Sequence, residues 1–167
     1  MTYKRCFDLV FAASALVTLA PLMLIVSLWI KLDSRGPVLF RQDRVGMNGR
    51  LFAIYKFRSM VADHTLTHHP SITVGADPRI TRAGEVLRKY KLDEFPQFIN
   101  VLLGDMSVVG PRPEVPRYVD LYPSDIRERV LSVRPGITDL ASVAYRNESE
   151  LLASAENPEA FYVEVIL

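Results

Sequence analysis

Cysteine is nearly missing from this chain: Cys6 is its only one in 167 residues. An internal disulfide is therefore impossible, no cysteine-based zinc pattern can be drawn, and a reducing, cytoplasm-facing setting fits best. A surplus of charge of either sign is missing as well. Twenty basic and 19 acidic residues leave a formal net charge of +1, so no bulk field attracts nucleic acid and none is expected as a partner. Internal repeats are absent. The three histidines, His64, His68 and His69, stand together in a polar stretch punctuated by Pro70. Such a tract reads as a loop rather than as a metal site. The length suits one globular domain with an addition at its N-terminus.

That addition is a run without charge, residues 9–30, LVFAASALVTLAPLMLIVSLWI. As a straight helix rising about 1.5 Å per residue it spans about 33 Å, enough for the hydrocarbon core of a bilayer. It is too long for a signal peptide and lacks a small-residue cleavage site. Pro21 removes a backbone donor near the middle and crowds the preceding turn, which predicts a kink or break after Ala20. Each half is then too short to cross alone. Lys4 and Arg5 precede the run, and Lys31, Arg35, Arg41 and Arg44 follow it; a spanning helix shows its basic excess on one side only. Two readings stand at this point: a re-entrant helix-break-helix hairpin dipping into one leaflet, and a tilted transmembrane helix kinked at the proline. Asp8 is expected to pair with a nearby basic residue, and Trp29 suits an interfacial anchor in either arrangement.

After Gly36 and Pro37 the pattern changes. Residues 38–44 and 50–57 read as strands joined by the Gly46–Gly49 turn, a β-hairpin. Lys56 and Arg58 leave the second strand either toward a phosphate or as ordinary exposed basic residues. Thr81 is a candidate cap for a helix from Arg82 to about Lys91, with apolar Val86, Leu87 and Tyr90 opposite Arg82, Arg88 and Lys89. Such a basic amphipathic helix suits a membrane headgroup region and equally a soluble surface. A further helix is expected from near Asp93, with Pro96 in its first turn, Phe98, Ile99, Leu102 and Leu103 as its apolar stripe and Gly104 as its end. Another is expected over Pro116–Val133, with Tyr118, Leu121, Tyr122, Ile126, Val130 and Leu131 in the core. Leu140–Tyr145 reads as a short extended run, followed by a polar, helix-prone tail. That tail stops on an apolar segment without a cap, as a truncated chain would. The class is α+β, mostly helical, with residues 1–36 as the membrane unit and 37–167 as a catalytic domain at the interface.

The stretch LDEFPQFINVLLGDMSVVGPRP, residues 92–113, carries the chemistry. Asp93 and Glu94 are adjacent carboxylates, and Arg112 follows in a Gly-Pro-Arg-Pro turn. A carboxylate attacks phosphorus or holds a divalent cation, and an arginine clamps phosphate oxygens, so the set points to phosphoryl chemistry. Helix capping by Asp93 is the competing reading of the same acids.

In the order and spacing of its motifs the chain resembles the bacterial sugar transferases, the monotopic phosphoglycosyl transferases acting on polyprenyl phosphate. The likeness runs through Lys4-Arg5, Asp8, Pro21, Gly36-Pro37-Val38, Tyr55 to Met60, Leu92-Asp93-Glu94, Pro96-Gln97, Asn100-Val101, Gly104 to Ser107, Gly110 to Pro113 and Arg134 to Thr138. It implies transfer of a phospho-sugar from a UDP-sugar to undecaprenyl phosphate with release of UMP, the first membrane step in building a capsule, exopolysaccharide, O-antigen or glycoprotein glycan. It further implies Asp93 as nucleophile in a covalent aspartyl phospho-sugar, and Glu94, with Asp93, at Mg²⁺ or Mn²⁺ or in proton handling. Lys56, Arg58, Arg88, Arg112 and Arg146 become the phosphate- and donor-binding candidates. A re-entrant hairpin at Ala20 and Pro21 is implied too, with the active site on the cytoplasmic face of the bacterial inner membrane, in contact with phospholipid and compatible with a homodimer. Two departures stand out: Ala20 where many relatives have serine, and Thr138-Asp139-Leu140-Ala141-Ser142 where many read Thr-Gly-Leu-Ala-Gln. A membrane-anchored metal-dependent phosphatase and an inactive scaffold are the alternatives.

Overall fold

The computed structural model describes residues 3–61, 77–145 and 148–166. The histidine tract and Arg146 lie outside the described residues. The first helix, α1 (Tyr3–Asp33), carries Pro21 inside it and runs through without interruption. The expected break after Ala20 is therefore not present as two helices. Proline removes one N–H from the ladder while its φ suits the helix, and the turns on either side continue. The 31 residues of α1 reach about 46 Å at about 1.5 Å per residue. Its apolar length qualifies for crossing a membrane, and only 11% of its most apolar 18-residue window is buried, unlike the core helix of a soluble domain. Asp8, Ala12, Val26 and Ile30 face the body, while Phe7, Val10, Val17, Leu24, Leu28 and Leu32 are exposed.

The expected hairpin is present as β1 (Leu39–Val45) and β2 (Leu51–Phe57), antiparallel, with Leu39 opposite Phe57 and Val45 opposite Leu51. Its turn needs positive φ at Asn48 and Gly49, which asparagine and glycine tolerate. Next comes α2 (Arg82–Lys89), capped as expected: the Thr81 Oγ1 accepts from the Gly84 N–H at 2.9 Å. Gly84 lies directly on the Ser59 carbonyl, so any side chain there would force α2 away from the end of β2.

The helix expected from near Asp93 begins later. Lys91 adopts a left-handed conformation (φ 56°), a 3-10 turn covers Leu92–Glu94, and α3 is Gln97–Leu103, ending at Gly104 (φ 98°). Asn100 of α3 is fully buried and serves the free edge of β2. Its Oδ1 accepts from the Tyr55 N–H at 3.0 Å and its Nδ2 donates to the Ala53 carbonyl at 2.8 Å. This side chain substitutes for a third strand and locks the dyad's segment to the hairpin.

A second small sheet pairs β3 (Ser107–Val109) in parallel with β4 (Gly136–Thr138). Between them the single helix expected over Pro116–Val133 is two, α4 (Pro116–Val119) and α5 (Ser124–Leu131). Pro123 lacks an N–H and holds Tyr122 away from helical geometry, which separates them. Tyr118 is buried as expected, but Leu121 and Ile126 are exposed, because the break turns α5 out of the core. Leu140–Ala144, expected to be extended, is helix α6: the Asp139 carboxylate caps it by accepting from the Ser142 N–H at 2.6 Å. The helix-prone tail forms α7 (Glu148–Ser154) and α8 (Pro158–Phe161), closing in a π-helical turn at Tyr162–Ile166. Among the described residues the chain is mostly helical with two two-stranded sheets, the mixed class its sequence predicts.

Three apolar clusters hold this together. Ala12 packs with Ile54, Val101, Met106 and Val108, and Val26 and Ile30 pack with Phe57 and Leu87. Both halves of α1 thus rest on the same body. Tyr118, Leu152 and Tyr162 form the third cluster and bring the tail onto α4.

Candidate active site

The dyad owes its position to the turn that precedes α3. Neither acid caps a helix: Pro96 occupies the cap position of α3, and no side chain caps the 3-10 turn. The capping reading of Asp93 is thereby excluded. Asp93 is 8% exposed, and its Oδ1 has no hydrogen-bond partner among the described residues. A buried carboxylate oxygen left without a donor costs free energy that calls for an explanation, as do the unpartnered Arg44 Nε and Arg58 Nε.

Lys56 on β2 meets the dyad, its Nζ donating to Glu94 Oε1 at 2.9 Å. The surroundings push the two acids in opposite directions. Burial raises the Asp93 pKa, and Glu94 adds to the rise against Lys56, Arg88 and Lys91. Burial also acts to raise Glu94, but the charge and hydrogen bond of Lys56, with Arg112 and Lys91, outweigh it and leave Glu94 lowered. Divergent pKa values within a carboxylate pair separate their roles. Arg88 of α2 acts on Asp93 without an ion pair of its own among the described residues. Lys56 and Glu94 therefore meet directly, next to Asp93 in the chain, and Arg88 reaches Asp93 through its charge.

Arg58 does not join them. Its side chain turns under the end of α1, donating to the Arg35 carbonyl at 2.7 Å, the Ser34 carbonyl at 2.7 Å and the Ser34 Oγ at 2.9 Å. It is 4% exposed. Its Nη1 and Nη2 serve carbonyls at and just beyond the end of α1, while its Nε is buried without a partner among the described residues.

Arg112 lies beyond Glu94 and is already paired. Its Nε is 3.6 Å from Glu114 and its Nη1 is 3.4 Å from Glu148, while its backbone N–H donates to Asp139 Oδ2 at 3.0 Å. Burial acts to lower its pKa, but Glu148 and Glu114 prevail and raise it. Glu114, 5% exposed, is a hub that the sequence reading missed. It meets Arg112, Arg44 at 3.5 Å and the Tyr162 hydroxyl, which donates to it at 2.8 Å. Its one sequence signal was an acid two residues beyond Arg112. Around Arg112 a cavity of about 130 Å³ opens, with Tyr122, Asp139, Ser142, Tyr145 and Glu148 among its walls. Burial, with Glu114 and Asp139, pushes the Tyr122 hydroxyl up to about 12.

No group of three or more His, Cys, Asp or Glu side chains that could hold a metal is present among the described residues. A protein cage of the calcium kind is thus not formed by them. Mg²⁺ is held differently, by one or two carboxylates with the rest of its shell from water and substrate phosphate. Asp93 and Glu94, with Asp93 Oδ1 unpartnered, fit that pattern.

The model of one protein family, described as bacterial sugar transferase, matches residues 1–166. The chain belongs to the bacterial sugar transferase family. Among its relatives in this family is the UDP-N-acetylgalactosamine-undecaprenyl-phosphate N-acetylgalactosaminephosphotransferase of Aeromonas hydrophila, 46% identical over 144 residues, 85% of this chain and 34% of that protein. The exopolysaccharide production protein PSS of Rhizobium leguminosarum bv. phaseoli is 47% identical over 150 residues, 86% of this chain and 74% of that protein. The UDP-glucose:undecaprenyl-phosphate glucose-1-phosphate transferase of Escherichia coli K12 is 40% identical over 168 residues, 98% of this chain and 36% of that protein. The chain thus spans about a third of two of these relatives and three-quarters of the other. Two of these relatives are named for different sugars, so the family fixes the class of protein and leaves the donor sugar open.

Proposed function

We propose that this chain transfers a sugar phosphate from a UDP-sugar to undecaprenyl phosphate, releasing UMP, through a covalent bond to Asp93. The observation that carries the proposal is the buried, unpartnered Oδ1 of Asp93 set among Lys56, Arg88 and Lys91. In the first step a carboxylate oxygen of Asp93 attacks the sugar-bearing phosphorus. The bond from that phosphorus to the bridging oxygen breaks, and UMP leaves with the electron pair. In the second step an oxygen of undecaprenyl phosphate attacks the same phosphorus and the Asp93–phosphorus bond breaks. The carboxylate is regenerated, and the sugar is left on a lipid diphosphate. Lys56 and Arg88 offset the phosphoryl charge that accumulates in both steps. Glu94, kept ionised by Lys56, holds that ammonium in place. Mg²⁺, held by Asp93 and Glu94, would neutralise diphosphate charge and improve the leaving group.

The acceptor is a lipid, and α1 supports a membrane location. Its N-terminal end is fastened to the body by Arg5, which donates to the Val101 carbonyl at 2.8 Å, and by Asp8, which accepts from the Val108 N–H at 3.1 Å. Its C-terminal end is fastened by Arg58 and by Asp33, which accepts from the Ala83 N–H at 3.0 Å. A helix that crossed the bilayer would carry one end away from the domain. The two fastened ends favour insertion into one leaflet, with the dyad on the cytoplasmic face of the bacterial inner membrane.

The reaction is tested by incubating detergent-purified protein with Mg²⁺, undecaprenyl phosphate and a panel of UDP-sugars. UMP release that needs the lipid and disappears in Asp93→Asn is the expected result. Release that persists without the lipid indicates a hydrolase, and release undiminished in Asp93→Asn excludes the covalent route.

A further inference from the structure

We propose that the cavity lined by Arg112, Tyr122, Asp139, Ser142, Tyr145 and Glu148 seats the sugar ring of the donor, and not its phosphates. The inference rests on the transferase reading and names the substrate part this pocket takes. Size is the first argument. At about 130 Å³ the cavity is well below the roughly 300–1,000 Å³ of pockets that enclose whole ligands, and it has room for one ring. Charge is the second. Among the described residues that line it, Arg112 is the only cation, against the three carboxylates of Glu114, Asp139 and Glu148. Glu114 and Glu148 already pair with that guanidinium at 3.6 and 3.4 Å. A phosphate would add negative charge to a wall that already has an excess of it, whereas a neutral ring rich in hydroxyls supplies donors to those carboxylates.

Not every acid is available. The two Asp139 oxygens are engaged by the backbone N–H groups of Arg112 and Ser142 at 3.0 and 2.6 Å. Glu148 and the Ser142 hydroxyl remain to read the sugar, with Tyr122 and Tyr145 presenting flat apolar faces to its C–H side.

The test compares the binding of UDP with that of UDP-glucose, UDP-galactose and UDP-N-acetylgalactosamine by titration calorimetry, in wild type, Glu148→Gln and Ser142→Ala. The expected result is that Glu148→Gln weakens the tightest UDP-sugar about tenfold and leaves UDP within about twofold. Ser142→Ala, which removes a hydroxyl without altering charge, shifts the same UDP-sugar and not UDP. If the pocket held phosphate, removing the Glu148 charge would free Arg112 and tighten UDP and UDP-sugar together; that result, or no change in either variant, overturns the proposal. Failure of the transferase reading is seen separately. Lipid-dependent UMP release would then be absent while sugar binding still depended on Glu148.

Discussion

Asp93 is an acid whose burial works against its own ionisation, and that sets both its chemistry and its cost. Its pKa is raised above the ordinary 3.8, so folding favours the protonated form. The stability contribution of protonated Asp93 is fully present below the ordinary carboxylate range and is lost as pH rises through the raised pKa. Ionising the group therefore works against the fold, while the ionised form is the one that the proposed attack on phosphorus requires. Asp93→Asn should abolish transfer yet raise Tm, by about 2–4 °C for each kcal/mol regained. The gain should shrink to nothing as pH falls below the ordinary carboxylate range, as thermal melts of both proteins across pH would show. A lower Tm for Asp93→Asn at every pH would contradict this account. Glu94, lowered by Lys56, behaves oppositely: its contribution is present above its ordinary pKa and fades as pH falls.

Secondary-structure elements were legible where periodicity or caps announced them and hidden where contacts decided them. The hairpin, the Thr81 cap and the Gly104 stop were readable from local residues. Strand β3 was not: three residues carry no period, and it exists because β4 comes to it from nearly thirty residues away. Of the candidate site, the Lys56–Glu94 contact joins two residues that their types and the family likeness had singled out. Glu114 and Tyr162 were not, since their meeting depends on the tail folding back over α4. The place of Arg58 at the end of α1 was hidden, because a basic residue beside a phosphate motif has no sequence mark of facing a helix end. Replacing it tests that assignment. Arg58→Ala leaves the carbonyls of Ser34 and Arg35 without their charged donor and should cost about 2–3 kcal/mol in denaturant melts. The KM for the UDP-sugar of the folded fraction should stay at the wild-type value, whereas a donor-binding Arg58 would raise it.

For the whole molecule, the question is how a long apolar helix and a polar catalytic body share one boundary. Fastenings at both ends of α1 predict that its two ends lie on one side of the membrane. In a Cys6→Ser background, single cysteines at positions 2 and 35 should be labelled by an impermeant thiol reagent from the same face of sealed vesicles; labelling from opposite faces would mean a spanning helix. In the proposed mechanism the covalent phospho-sugar on Asp93 forms before the lipid arrives. The most direct measurement of that claim is the intact mass of the purified protein after mixing with Mg²⁺ and a cognate UDP-sugar, without undecaprenyl phosphate. The account predicts a gain of one sugar phosphate that is discharged when the lipid is added and never forms in Asp93→Asn. An unmodified mass in a preparation that transfers sugar phosphate once lipid is present, or an adduct that survives Asp93→Asn, would contradict it.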